Sequence, residues 1–179
     1  MKRCQWVKLK NPIYVNYHDQ EWGKLNLNEA YLFEMLLLEC FQAGLSWECV
    51  LNKREHFRVA YDSFNIDKII HYDSTKINEL YNNQNIIRNR LKIQASIENA
   101  KIYKEIQKEF GSFQNYLQHF SFGHIVYELG KTTNELSDKI SKDLKKRGMK
   151  FVGSTTIYSY LQAIGIINSH EPCCFLYKK

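Results

Sequence analysis

One carboxylate stands inside the most apolar stretch of the chain: Glu39, in the run Met35 to Phe41. From Glu29 onward there is no Pro or Gly until Gly44. This predicts a helix capped by Asn28, running to about Ala43 and apolar nearly all round, the pattern of a buried centre. A carboxylate in such a place loses its hydration and must find a proton, a partner or a chemical task. Two readings follow. Either an Arg or Lys elsewhere neutralises Glu39 in an ordinary core, or Glu39 belongs to a site. Gly44 then ends the helix, Leu45 tips the turn, Ser46 can cap a new helix, and Trp47 opens it. A buried acid, a tight turn with an apolar tip and an indole are thereby expected close together.

A second set of chemically capable residues lies at the chain ends. His170 and Cys174 are spaced H-x3-C, so both can turn to one point, with Cys173 as the competing choice. Cys4 and His18 bracket a segment that could fold back on itself. Two imidazoles and two thiolates form a tetrahedral set that suits a closed, structural zinc, which here would clasp the two ends together. Exposed His and Cys at loose ends give the same pattern without a metal. Cys40 and Cys49, in apolar helical context, read as small core residues.

The elements that must position these groups can be read in outline. The chain has 179 residues, 44% hydrophobic and 14% aromatic, with 2 Pro and 8 Gly. That is enough for a real core in one domain, and the scarcity of breakers favours an all-α fold. Nothing approaches the roughly 18 consecutive apolar residues of a membrane span, and the first residues lack the apolar centre of a signal peptide, so the expected location is cytoplasmic. Residues 1–26 read as irregular and carry Trp6, Tyr14, Tyr17 and Trp22. After the central helix, Ser46 caps a helix from Trp47 to about Tyr61. Short helices are expected near Asp67 to His71 and Thr75 to Asn82, and one long helix from Arg90 to Phe110. Residues 112–127 read as helical with breaks. Thr132 and Glu135 make a capping box for a helix ending at Lys146, and the last helix runs from Thr155 to Ile164.

The net charge is +6, which suggests a polyanionic partner. Lys142, Lys145, Lys146, Arg147 and Lys150 gather against one acid, Asp143, and Arg88, Arg90 and Lys92 stand with none. The segment 82–93, NNQNIIRNRLKI, predicts two helices joined by a turn at Asn85, a residue suited to the left-handed conformation. Ile86 and Ile87 would pack beneath it. A helix-hairpin-helix element has this form and holds a backbone phosphate on its turn amides; an ordinary corner between helices has it too.

Several segments together resemble one family, the DNA-3-methyladenine glycosylase I (TAG) enzymes. They are RCQWV at 3–7, YHDQEWG at 17–23, LFEMLLLE at 32–39, QAGLSW at 42–47, IIRNRLKI at 86–93 and LKKRGMKFVGSTTIYSYLQAIG at 144–165, followed by H-x3-C at 170–174. The resemblance spans nearly the whole chain in order, and is weakest at about 112–135. Where the family often has Gly, this chain has Asn85.

The resemblance implies one 1–179 glycosylase domain: two packed helical lobes, a helix-hairpin-helix at about 76–108, and a zinc clasp built from 1–20 and 166–179. It implies a monofunctional enzyme that flips out N3-methyladenine and removes it from alkylated duplex DNA, acting as a monomer and releasing free 3-methyladenine. Glu39 would be the catalytic carboxylate, facing the flipped base as a recognition and electrostatic group. Trp6, Tyr14, Tyr17, Trp22 and Trp47 would bind the base, and Cys4, His18, His170 and Cys174 would hold Zn2+. Gly44 and Leu45 would press into the duplex, with Asn85, Arg88, Lys92 and Lys150 on the DNA backbone. No motif places a lysine as a Schiff-base nucleophile. The competing functions are a glycosylase for another damaged base, a DNA-binding module without catalysis, and a zinc-clasped interaction domain.

Overall fold

The computed structural model describes residues 1–178. Its centre is the helix expected from the apolar run, α2 (Glu29–Gln42), with the Asn28 side chain accepting from the Ala30 and Tyr31 amides. Leu32, Met35, Leu36, Leu38 and Phe41 are all buried to within 2%. α2 packs against α3 (Trp47–Leu51), α7 (Arg90–Phe110), α8 (Phe113–Ser121) and α10 (Ser154–Ala163). Burial on every side explains why the helix is apolar all round. Among the described residues no helix is long and apolar enough to cross a membrane.

The long helix α7 has the expected limits, from the Asn89 cap to Gly111 in the left-handed region. α5 (Ile66–Ile69) and α6 (Ser74–Asn82) also lie where the capping signals put them. Five expectations need correction. Residues 1–26 are not wholly irregular: Asn11 caps α1 (Pro12–Gln20), an Asn-Pro start that leaves proline at the first helical position. The helix after Ser46 breaks into α3 and α4 (Arg54–Ala60) at Lys53, whose backbone leaves the helical region at φ −103°, ψ 0°. Asn85 is not left-handed. Asn83 closes that turn instead, its Oδ1 accepting the Asn85 amide at 2.9 Å. The capping box of α9 (Glu135–Lys146) is formed by Asn134 and Ser137, two residues beyond Thr132 and Glu135.

The fifth correction is to the all-α expectation. β1 (Val126–Tyr127) pairs in parallel with β2 (Ile167–Asn168), and this small sheet joins the segment after α8 to the chain end. Two-residue strands carry too little alternation to be seen in sequence.

Gly165 ends α10 at φ +78°, and a Cβ there would lie 2.2 Å from the Lys24 carbonyl carbon. This close approach lets the Asn26 amide reach the Ile164 carbonyl at 3.0 Å. Gly165→Ala is therefore expected to destabilise by at least ~2 kcal/mol through strain and backbone displacement. A thermal melt should show a fall of about 5 °C or more.

Candidate active site and metal centre

Glu39 is 2% exposed, and its Oε2 has no hydrogen-bond partner. The neutralising cation of the ordinary-core reading is absent among the described residues. The buried guanidinium of Arg54 bonds to Glu21 and Glu34. The ammonium of Lys92 donates to the Phe41 and Ala43 carbonyls at 2.8 and 2.5 Å. Burial without a counter-charge pushes the Glu39 carboxyl up to about 8. It also pushes the Tyr17 hydroxyl well above its ordinary value, with the Glu39 charge adding to the shift.

Glu39 lines a cavity of about 390 Å³ together with Trp6, Tyr14, Tyr17, Trp22 and Trp47. All six residues selected from the sequence for the base site meet there. Tyr17 and Trp47 lie 5.3 Å apart between ring centroids, and Trp6 meets Tyr14 and Trp22 edge-on at 5.6 and 4.7 Å. The Trp47 indole N–H is buried and, like Glu39 Oε2, unpartnered. Buried polar atoms are almost always satisfied. One donor and one acceptor left open in an aromatic wall describe a place for a flat polar ligand. Gln42, Ser159, Gln162, Ser169 and Glu171 add to the polar lining, as does Lys131, whose side chain is 56% exposed. Lys131 carried no sequence signal, because the segment around it has neither periodicity nor a motif.

Beside the cavity, Cys4, His18, His170 and Cys174 are all buried, with their ligand atoms within 4.8 Å of one another. Cys4 Sγ is 3.5 Å from His170 Nδ1; Cys174 Sγ is 3.5 Å from His18 Nε2 and 3.6 Å from His170 Nδ1. Cys173 is exposed and stands apart, so the H-x3-C choice is the one the fold makes. Each imidazole is oriented by its other nitrogen: His18 Nδ1 lies 2.7 Å from Asp19 Oδ1, and His170 Nε2 lies 3.1 Å from the Trp22 carbonyl. This is the outer support that metal-ligating histidines have. The Glu171 amide donates to Cys4 Sγ and the Leu176 amide to Cys174 Sγ, each at 3.4 Å. The four side chains can hold a metal ion. Trp22 and Trp6 pack on His170 and His18 at 4.7 and 5.3 Å, so the cluster is also a foundation of the cavity.

The residues expected on DNA divide into two groups. Gly44 has φ +78° with nothing near its Cβ position, and Leu45 beside it is 41% exposed. Asn85, Arg88 and Lys150 are exposed, and neither cation makes an ion pair among the described residues. Lys92 does not join them. It is 7% exposed and closes the C-terminal carbonyls of α2, where an ammonium also meets the negative end of the helix dipole. Its reach from α7 ties the Gly44 turn to the turn before α7. Lys53, which the sequence did not single out, completes that link by donating to the Gln84 and Asn85 carbonyls at 3.4 and 3.1 Å.

This geometry has known counterparts. The methyladenine glycosylase family model matches residues 6–177. The DNA-3-methyladenine glycosylase 1 of Escherichia coli (strain K12) is 40% identical over 99% of this chain and 97% of its own length. The DNA-3-methyladenine glycosylase of Haemophilus influenzae is 39% identical over 96% of each. A crystal structure of 3-methyladenine DNA glycosylase I (TAG) superposes with a TM-score of 0.94 at 39% identity, covering 99% of this chain and 100% of that one. A TAG variant crystallised in complex with 3-methyladenine gives 0.93 at 32% identity, covering 100% and 99%. With nearly its whole length and its fold in common with them, the chain belongs to the methyladenine glycosylase family, the 3-methyladenine DNA glycosylase I (TAG) enzymes.

Proposed function

We propose that the protein excises N3-methyladenine from alkylated duplex DNA by hydrolysis, releasing the free base and leaving an intact strand with an abasic site. The observation that carries this reading is the pair of open polar atoms, Glu39 Oε2 and Trp47 Nε1, in the wall of an aromatic cavity. Adenine methylated at N3 is a cation. Aromatic faces attract it, and a carboxylate accepts charge-assisted hydrogen bonds from it. Unmodified adenine is neutral and gains little from either, so selectivity follows from charge. The structure of a relative with 3-methyladenine bound supports the same ligand here.

In the reaction the C1′–N9 bond breaks, its electron pair leaves with the base, and water supplies the C1′ hydroxyl and gives up its other proton to solvent. The base leaves as a neutral molecule, so no acid is needed to protonate it. Positive charge moves from base to sugar, and Glu39, ionised against the cation, stabilises that charge without reorganising. Tyr17 and Trp47 hold the base by its faces. Leu45, at the tip of the Gly44 turn, fills the space the base vacates in the duplex. α6, the turn 83–89 and α7 act as the helix-hairpin-helix, with Arg88 and Lys150 on phosphates.

The donor set beside the cavity fits Zn2+. A tetrahedral zinc with Zn–S of about 2.3 Å and Zn–N of about 2.0–2.1 Å has S···N edges of roughly 3.6 Å. Three of the four S···N separations here are 3.5, 3.5 and 3.6 Å, and all four ligand atoms lie within 4.8 Å of one another. Cys4, His18, His170 and Cys174 would hold it with no position left for substrate. Its role is to cross-link the chain ends and steady Trp6 and Trp22.

The test is base release. Purified protein incubated with methylated duplex DNA should liberate 3-methyladenine, identified by chromatography, and leave alkali-labile but uncut strands. Intact DNA with salt-sensitive binding would instead support a module without catalysis. Strand scission without alkali would overturn the monofunctional assignment. Lys131, the lysine that lines the cavity, is ion-paired with Glu128 at 2.7 Å.

A further inference from the structure

The segment between β1 and α9 forms part of the cavity lining through Leu129, Gly130 and Lys131. This is also the stretch in which the sequence resembles the glycosylase family least. It is held at both ends. β1 pairs with β2, and the Glu128 amide donates to the Asn168 carbonyl at 3.3 Å. At the other end Asn134 caps α9. The Glu128 carboxylate bridges the loop from within: one oxygen accepts from Lys131 Nζ at 2.7 Å and the other from Asn134 Nδ2 at 2.5 Å. Glu128 is 12% exposed and Lys131 is 56% exposed. The loop is therefore a braced turn that carries an ammonium at the boundary between cavity and solvent.

A cation at this place is puzzling for a pocket that receives a cationic base. Like charges repel, and the pairing with Glu128 offsets only that unfavourable term. The ammonium has three donors, and Glu128 takes one of them. A base that remains joined to its sugar must stop with the sugar and its flanking phosphates at the cavity mouth. The mouth is where Lys131 lies, and an anion is what its remaining donors suit.

We propose that the Glu128–Asn134 loop is a clamp for the extruded nucleotide, in which Lys131 binds a phosphate flanking the lesion while Glu128 and Asn134 hold it in place. The inference rests on the glycosylase reading, since it needs a nucleotide turned out of the duplex. It assigns to Lys131 substrate positioning and DNA affinity, and no contact with the base.

The experiment compares wild type, Lys131→Gln and Lys131→Arg in three assays. The first is binding to a duplex with one reduced abasic site across a salt series. The second is binding of free 3-methyladenine, and the third is single-turnover base release. For Lys131→Gln the slope of log K against log salt should become shallower by about 0.9, the loss of one phosphate contact. Affinity at moderate salt should fall about 5- to 10-fold, with free-base affinity unchanged within 2-fold. Base release should show the deficit at limiting enzyme and lose it at saturation. Lys131→Arg should restore slope and affinity. An unchanged salt slope in Lys131→Gln overturns the clamp. A parallel loss of free-base binding also overturns it, making the loop a wall of the base pocket. Should wild type release no base at all, the glycosylase reading fails, and the two binding assays still decide whether Lys131 meets a phosphate.

Discussion

Glu39→Gln is expected to lose base release by about 100-fold or more and, at the same time, to make the protein more stable. The two effects share one cause. The carboxyl is buried with no counter-charge, which holds it protonated up to about pH 8. In the unfolded chain it titrates at its ordinary value of 4.5. Below that value both states carry the proton and the acid brings no penalty. As pH rises from 4.5 towards 8, folding must take up a proton, and stability falls by about 1.4 kcal/mol per unit. By neutral pH the loss is roughly 3 kcal/mol, and above 8 it levels off. Glutamine keeps the shape and removes the titration. Melts of the two proteins should coincide near pH 4.5 and separate as pH rises, with the variant the more stable by several degrees at pH 7 to 8.

Activity should move the other way. A cationic base in the cavity favours the ionised carboxylate, so its entry expels the proton. At limiting DNA, wild-type rates should therefore rise towards tenfold per pH unit between about 6 and 8, and the variant should be flat. The ~100-fold loss corresponds to about 3 kcal/mol of transition-state stabilisation, a normal magnitude for one charged contact in a dry site. A variant as active as wild type would sink the assignment of Glu39. A variant less stable than wild type at pH 8 would show that the carboxylate has a partner after all.

The second large effect is expected on metal removal. The four ligands come from opposite ends of the chain, and apart from them the ends are joined by few bonds: the Phe175 amide to the Lys2 carbonyl and the Gln5 amide to Glu171. On the proposed zinc reading, removing the ion takes from two buried thiols and two buried imidazoles their common partner. Binding energy at such a site is folding energy. Chelation should lower the melting temperature by 10 °C or more and abolish base release, since Trp6 and Trp22 rest on the ligand imidazoles. Added Zn2+ should restore both. Elemental analysis should find one zinc per chain in wild type and in Cys173→Ser, and none in Cys174→Ser. Metal retained in Cys174→Ser, or a melt indifferent to chelation, would refute the clasp.

Local signals in the sequence carried much of the architecture. The limits of α7, the Asn28 cap of α2 and the Ser46 cap of α3 depend on residues within one turn of each other, and one turn is what a sequence displays. The isolation of an acid in an apolar run was legible for the same reason. The aromatic side chains and the four Cys and His residues were legible as residue types and in part by spacing, and the family resemblance decided between a zinc set and loose ends and gathered the aromatics into one site.

What the sequence left open is who meets whom across long separations. Whether Glu39 had a counter-ion was settled by Arg54 pairing with Glu21 and Glu34, and by Lys92 closing α2. A basic run cannot announce that one of its members is buried; Lys92 faces inward because its position on α7 lies over the end of α2. Lys53, Lys131 and the β1–β2 pair likewise acquire their places only when segments distant in the chain are packed together. Capping and periodicity are short-range preferences that fix elements one at a time, whereas neutralisation and pocket lining are set by the packing of the elements against one another.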